Sequence, residues 1–287
     1  MKIKRLGAAA GAEVSGVDIS KPLSNAEFDA IHQAFADHCV LVFPGQKLSP
    51  EQQLAFSRRF GPPIAHVLEG FRLPDYPEVF IVSNKKKKDA NGEKPVGAIY
   101  AGQYWHTDLS YVAEPAMASM LHSLEMPSVG GDTMFANMYL AYDNLSAPMK
   151  AFLAPLEALH DYTHAYETVL SKLPGRPPMT EEQKALVPPV VHPVIRTHPV
   201  TKKKALYVNP GFTRRILGLT EDESSALLGF LHMHATRPEF IYRHDWTVGD
   251  VVLWDNRCLM HRAISDYDMN EPRHMHRTTI AGDKPFN

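Results

Sequence analysis

The sequence predicts a mainly β fold, an antiparallel sandwich or barrel with helices packed on its outside. Three observations carry this. Short runs rich in β-branched and aromatic residues recur at both ends and in the middle of the chain. Helix signals gather in the first third and around 140–155 and 220–235, so strands and helices do not alternate as βαβ units would. Twenty-three prolines in 287 residues suit a loop-rich chain built on sheets.

The elements follow in order. Ser24 with Glu27 three residues on forms a capping box, and Phe28, Ile31 and Phe35 then share one helical face. Val40-Leu41-Val42-Phe43 reads as a strand ended by Pro44-Gly45. Ser49 with Gln52 repeats the box and opens a helix through Leu54 and Phe56, stopped at Gly61-Pro62-Pro63. Glu78 to Val82 and Ala116 to Leu124 read as strands. Thr220 with Glu223 opens a third helix, with Ala226, Leu227, Phe230, Leu231 and His234 as its expected buried stripe. Phe240, Tyr242 and His244 alternate with Ile241 and Arg243 in a further strand. Val251 to Trp254 follows the turn Val248-Gly249-Asp250, and His274 to Ile280 is the closing strand. The lysine run Lys85 to Lys88 reads as a solvated loop. It also opens a candidate lid over residues 84–104, just ahead of the residues that carry chemistry.

Composition narrows the class. With 44% hydrophobic and 22% charged residues the chain reads as one globular domain over 1–287, without an internal repeat. A formal charge of −2 offers no basic excess for nucleic acid or a membrane surface. No run of 18 apolar residues suggests a membrane span, and Glu13 and Asp18 interrupt any signal-peptide core. Two cysteines, Cys39 and Cys258, are too few for a disulfide framework and suit a reducing cytoplasm.

Fifteen histidines invite a metal question. In Trp105-His106-Thr107-Asp108, an extended segment would place His106 and Asp108 at i and i+2, on one face. Trp254-Asp255-Asn256-Arg257 runs from a strand into a turn, with His261 beyond it. On the closing strand Arg273 and Arg277 share a face, about 13 Å apart at ~3.3 Å per residue. Buried together they require anions, and Arg offers a planar fork for a carboxylate. Two imidazoles and one carboxylate on a metal leave three coordination positions open, the arrangement of non-heme Fe(II) oxygenases.

These motifs, with Gly11-Ala12-Glu13-Val14-Ser15-Gly16, Phe60-Gly61, Gly130-Gly131-Asp132-Thr133 and His192 to Pro199, resemble the Fe(II)- and 2-oxoglutarate-dependent dioxygenases of the taurine dioxygenase and 2,4-dichlorophenoxyacetate dioxygenase family, over almost the whole chain. The resemblance implies a double-stranded β-helix, the clavaminate synthase-like jelly roll. It implies Fe(II) on His106, Asp108 and His261, with 2-oxoglutarate and O2 as co-substrates. Thr133 and Arg273 would hold the distal carboxylate of 2-oxoglutarate. Arg277 would take the anionic group of a small organic substrate, with His66, Phe212, Gln103 and Tyr166 around it. The expected reaction hydroxylates a substrate C–H while 2-oxoglutarate loses CO2 to give succinate. A homodimer or homotetramer is expected by the same likeness. A metal-dependent non-oxygenase would not need the Thr133 and Arg273 clamp, and a metal-binding jelly roll without turnover would be marked by a broken triad, whereas His106, Asp108 and His261 are all present.

The sequence departs from the taurine enzymes at two places. Gly102 stands where they carry Asn, and Glu69 where they carry Tyr. The loss of those polar groups favours other anions, and Tyr100, Gln103 and Tyr104 could line a more aromatic pocket. The substrate is therefore expected to be an alkyl sulfonate, an aryloxyalkanoate, or another carboxylate or sulfate ester. The remaining histidines read as structural. His232 and His234 lie on different helix faces, and His274 and His276 point away from the arginines. His160 and His164 have helical spacing but no third ligand, while His192 and His198 look like strand-edge residues and Cys258 like a packed thiol.

Overall fold

The computed structural model describes the chain except residues 68, 90, 91, 99–101, 169 and 173–177, and the side chains of 88, 89, 92 and 93. Its largest sheet runs in the order Lys2–Arg5, Ala12–Ser15, Val40–Phe43, Val251–Asp255, Ala118–Glu125, His274–Ile280, Tyr76–Ser83, Arg72–Leu73, and Pro63–Ile64 also pairs with the closing strand. Pairing is antiparallel except between Ala12–Ser15 and Val40–Phe43, which run parallel, an exception to the expected all-antiparallel sheet. A smaller sheet places Thr133–Asn137 between Ile241–His244 and Leu259–Ala263.

Alternation explains why the central strands read as unbroken apolar runs. Val40, Val42, Leu121, Val252 and Trp254 face the small sheet and share a core with its Phe135, Ala136 and Met260. Leu41, Phe43, Met120, Val251 and Leu253 point the other way, into a second core with Ile31, Phe35 and Phe56 of the first two helices. Both faces of the large sheet are covered, so both sets are apolar.

The expected helix starts hold. Ser24, Ser49 and Thr220 each cap a helix with a reciprocal box, opening Asn25–His38, Pro50–Arg58 and Glu221–Ala235. The stripe of the third is rotated from expectation. Ser224, Leu228, Leu231, His234 and Ala235 are buried, while Ala226 is exposed and Phe230 is 39% exposed. Two polar pins set the rotation: Ser224 Oγ accepts from Ile216 N at 2.8 Å, and His234 Nε2 meets Ala141 O at 2.8 Å. The lysine run is not a loop. Lys86–Asp89 pairs antiparallel with Gly92–Pro95, and Lys85 Nζ lies 2.6 Å from Glu125. The candidate lid of 84–104 thus begins as a strand pair, and Tyr100 lies outside the described residues. Among the described residues no helix is long and apolar enough to cross a membrane.

Candidate active site

His106 sits on a single β-bridge opposite His261: each backbone N–H donates to the other's carbonyl, at 3.1 and 2.8 Å. His261 belongs to the small-sheet strand Leu259–Ala263. The extended geometry expected for Trp105 to Asp108 stops at the bridge. Thr107 Oγ1 donates to Leu259 O at 3.0 Å, the chain turns, and Leu109 takes φ +55°, a left-handed conformation unusual for a bulky residue. The turn delivers Asp108 to the two imidazoles.

His106, Asp108 and His261 are all buried, and one ligating atom from each lies within 4.8 Å of the others. His106 Nε2 is 3.6 Å from Asp108 Oδ1, and His261 Nε2 is 3.8 Å from Oδ2. These separations exceed hydrogen-bond length and suit donors arranged around a shared cation. His106 Nδ1 lies 2.9 Å from Tyr104 O; with the proton there, Nε2 keeps its lone pair for a metal. Burial, and then the neighbouring His106, push His261 well below the usual histidine range, so its ring is neutral. Burial opposes ionisation of Asp108, but Arg277 and the two histidines outweigh it and hold the carboxyl well below its usual range. Ser119 Oγ donates to Asp108 Oδ2 at 2.7 Å, and Asn256 donates to Ser119 at 3.1 Å. Two imidazoles and one oriented carboxylate are a donor set that fits Fe(II).

Two cavities meet at this cluster, sharing His106, Gly102 and Arg277. One, of about 410 Å³, is lined by Thr133, Trp254, His261 and Arg273. The other, of about 550 Å³, has aromatic walls of Phe80, Tyr104, Tyr111, Tyr162 and Phe212, with His66 and Asp108. Arg273 is 6% exposed, and its Nε donates to Gly131 O at 3.1 Å. Arg277 lies over the Phe80 ring at 4.9 Å and places Nη1 3.3 Å from Asp108 Oδ1.

Residues 2–279 match the family described as taurine catabolism dioxygenase TauD, TfdA family. The chain belongs to this TauD/TfdA family. It is 36% identical over 283 residues to the alpha-ketoglutarate-dependent 2,4-dichlorophenoxyacetate dioxygenase of Cupriavidus pinatubonensis, covering 95% of this chain and 94% of that one. It is 34% identical over 284 residues to an alpha-ketoglutarate-dependent sulfate ester dioxygenase of Pseudomonas putida, covering 96% and 87%. Among solved structures, a taurine dioxygenase from Burkholderia xenovorans superposes with a TM-score of 0.81 at 36% identity, covering 100% of this chain and 92% of that one. The two packed sheets are the jelly roll the sequence implied.

Within this TauD/TfdA site the other expected residues divide. His66 lines the aromatic cavity, its ring 4.3 Å from Phe80. Phe212 stands edge-on to His106 at 6.0 Å. Gln103 lines neither cavity, because its amide donates to Ser265 Oγ at 2.6 Å. Tyr166 is buried behind Tyr162, against a separate apolar cavity with Val67, Met179 and Val187. Glu69 is on the surface, 3.2 Å from Arg72. Gly102 has φ +72°, and a Cβ there would meet His106 Cε1 at 3.0 Å.

Two histidine readings change. His160 ends the strand Glu157–His160 while His164 lies on the helix Tyr162–Thr168, so the pair has no common helical face. His198 is no strand-edge residue. It is buried, with Nε2 3.1 Å from Asp255, whose two oxygens also take Arg257 Nε and Nη2 at 2.9 and 2.7 Å. His198, Asp255 and Cys258 converge as closely as His106, Asp108 and His261 do, yet Arg257 already neutralises the carboxylate, and the group secures the turn before His261. Tyr111, Tyr162 and Ser119 were not singled out from the sequence. No spacing ties them to the site, whereas Asn256 stood inside a motif that was read.

Proposed function

We propose that the primary substrate of this 2-oxoglutarate-dependent dioxygenase is a small organic anion seated on Arg277, most simply a taurine-like alkyl sulfonate, and hydroxylated at a neighbouring C–H. One observation carries this: Arg277 stands where the aromatic cavity meets the His–Asp–His cluster. His106, Asp108 and His261 would hold Fe(II). Bound iron, with 2-oxoglutarate and O2, supplies the oxidising power for C–H hydroxylation and releases succinate and CO2. Thr133 and Arg273, in the second cavity, would bind the distal carboxylate of 2-oxoglutarate and fix how the molecule enters. Arg277 would anchor the substrate anion, and Phe212 and His66 would press its carbon body towards the cluster and exclude water. If the hydroxylated carbon also bears a sulfonate or ether oxygen, the product falls apart to a carbonyl compound and the leaving group.

A second substrate reading, an aryloxyalkanoate or a sulfate ester, is favoured by the walls Tyr104, Tyr111, Tyr162 and Phe212 and by Gly102, which brings no side chain of its own to the cavity. The proposed assembly is a homodimer or homotetramer. The proposed compartment is the cytoplasm, which suits two buried free thiols.

Succinate release, screened across taurine, longer alkyl sulfonates, aryloxyacetates and sulfate esters, tests the reading. One class should stimulate release well above the rate without substrate; no stimulation by any of them would sink it. Anaerobic Fe(II) with 2-oxoglutarate should give a visible charge-transfer band, and a band that survives His261→Ala would refute the triad.

A further inference from the structure

We infer that Arg243 and Trp246 are positioning residues for the 2-oxoglutarate seat, an inference that rests on the reading of Thr133 and Arg273 just given. Neither lines the cavity that holds those two groups. Each fixes one of them from behind. Thr133 lies opposite His244 in the small sheet, and Met134 opposite Arg243, so the strand Ile241–His244 backs the loop that begins at Gly130.

Trp246 is buried and donates Nε1–H to Thr133 Oγ1 at 3.0 Å. A hydroxyl has one proton and two lone pairs. With the indole on a lone pair, the hydroxyl proton is left to donate to an acceptor in the cavity, as a carboxylate requires.

Arg243 acts through more steps. Its Nε donates to Asp132 Oδ2 at 2.5 Å and its Nη2 to Asp266 Oδ2 at 3.1 Å. Asp266 Oδ1 accepts from Gly131 N at 3.0 Å, and Gly131 O accepts from Arg273 Nε at 3.1 Å. The chain Arg243–Asp266–Gly131–Arg273 therefore sets the plane of the Arg273 guanidinium. It engages Nε and leaves the two Nη groups for the cavity. Arg243 is half exposed, and a single surface ion pair would contribute little. Here one guanidinium joins two carboxylates on two loops, and Arg273 takes its orientation from that junction.

The test uses the Mn(II)-loaded protein and two chelating probes, titrated calorimetrically. N-oxalylglycine carries a distal carboxylate and oxalate does not. Arg243→Met and Trp246→Phe should each weaken N-oxalylglycine by about five- to tenfold, the worth of one hydrogen bond, and leave oxalate unchanged. Arg243→Lys, which reaches one carboxylate but not both, should fall between. Equal losses for both probes, or N-oxalylglycine held as tightly as by the parent, overturn the inference. Arg273→Met is the reference variant: if it binds N-oxalylglycine as tightly as the parent, the Thr133 and Arg273 seat falls together with the inference.

Discussion

Arg277 Nη1 stands 3.3 Å from Oδ1 of Asp108, so the carboxylate that faces two imidazoles also faces a guanidinium. Arg277 Nε is buried and has no hydrogen-bond partner among the described residues. Arg277→Gln should therefore impair use of the primary substrate by at least about tenfold while 2-oxoglutarate affinity changes little. Separate KM determinations for the two compounds check this, and equal losses would contradict the assignment.

Arg273→Met should raise the 2-oxoglutarate KM by about 30-fold or more, since the proposed seat would lose its buried fork. Gly131→Ala should act in the same direction but less. Gly131 has φ +77°, and an added Cβ would stand 3.1 Å from Arg273 Nε. Substrate KM at saturating 2-oxoglutarate is the control; a change confined to it would mean the seat lies elsewhere.

Leu231 is fully buried on the helix Glu221–Ala235, and its loss should destabilise the protein by about 2–5 kcal/mol in Leu231→Ala. Phe230 on the outer face should cost under about 1 kcal/mol in Phe230→Ala. Urea unfolding midpoints of the two variants decide whether the rotated stripe is correct.

Acid should weaken the fold through buried histidines outside the His106, Asp108 and His261 cluster. Burial pushes His160 down to about 3 and His192 to about 4, against an ordinary 6.5. Above pH 6.5 both states hold neutral rings and pH has no lever. Between 6.5 and about 4 the unfolded chain takes up protons that the folded chain refuses. Stability therefore falls as pH falls, by at most about 1.4 kcal/mol per pH unit for each proton. His160→Gln should flatten that slope between pH 6.5 and 4.5 in urea titrations; an unchanged slope would count against a neutral buried ring.

Local signals account for what could be read directly. Capping boxes lie within four residues, so three helix starts were legible, while a fourth box, Thr180 with Gln183 ahead of Glu181–Ala185, was passed over. Strand runs such as Val40–Phe43 carry their own apolar mark. The cluster of His106, Asp108 and His261 was legible because each stands in a motif. What escaped depends on distant partners. Nothing near Phe230 announces that Ser224 will bind Ile216 N and turn the helix. Nothing near Gln103 points to Ser265, and nothing in four successive lysines shows the strand that pairs with them. His198 looked peripheral because Asp255 lies 57 residues away in sequence.

The reciprocal backbone bond between His106 and His261 has a practical consequence. Both nitrogen donors are tied to one another by main chain, independently of any ion. Loading with iron is then a docking event on a preformed cradle, and chelation should strip the ion reversibly, leaving a chain that keeps its shape and regains activity on simple readdition.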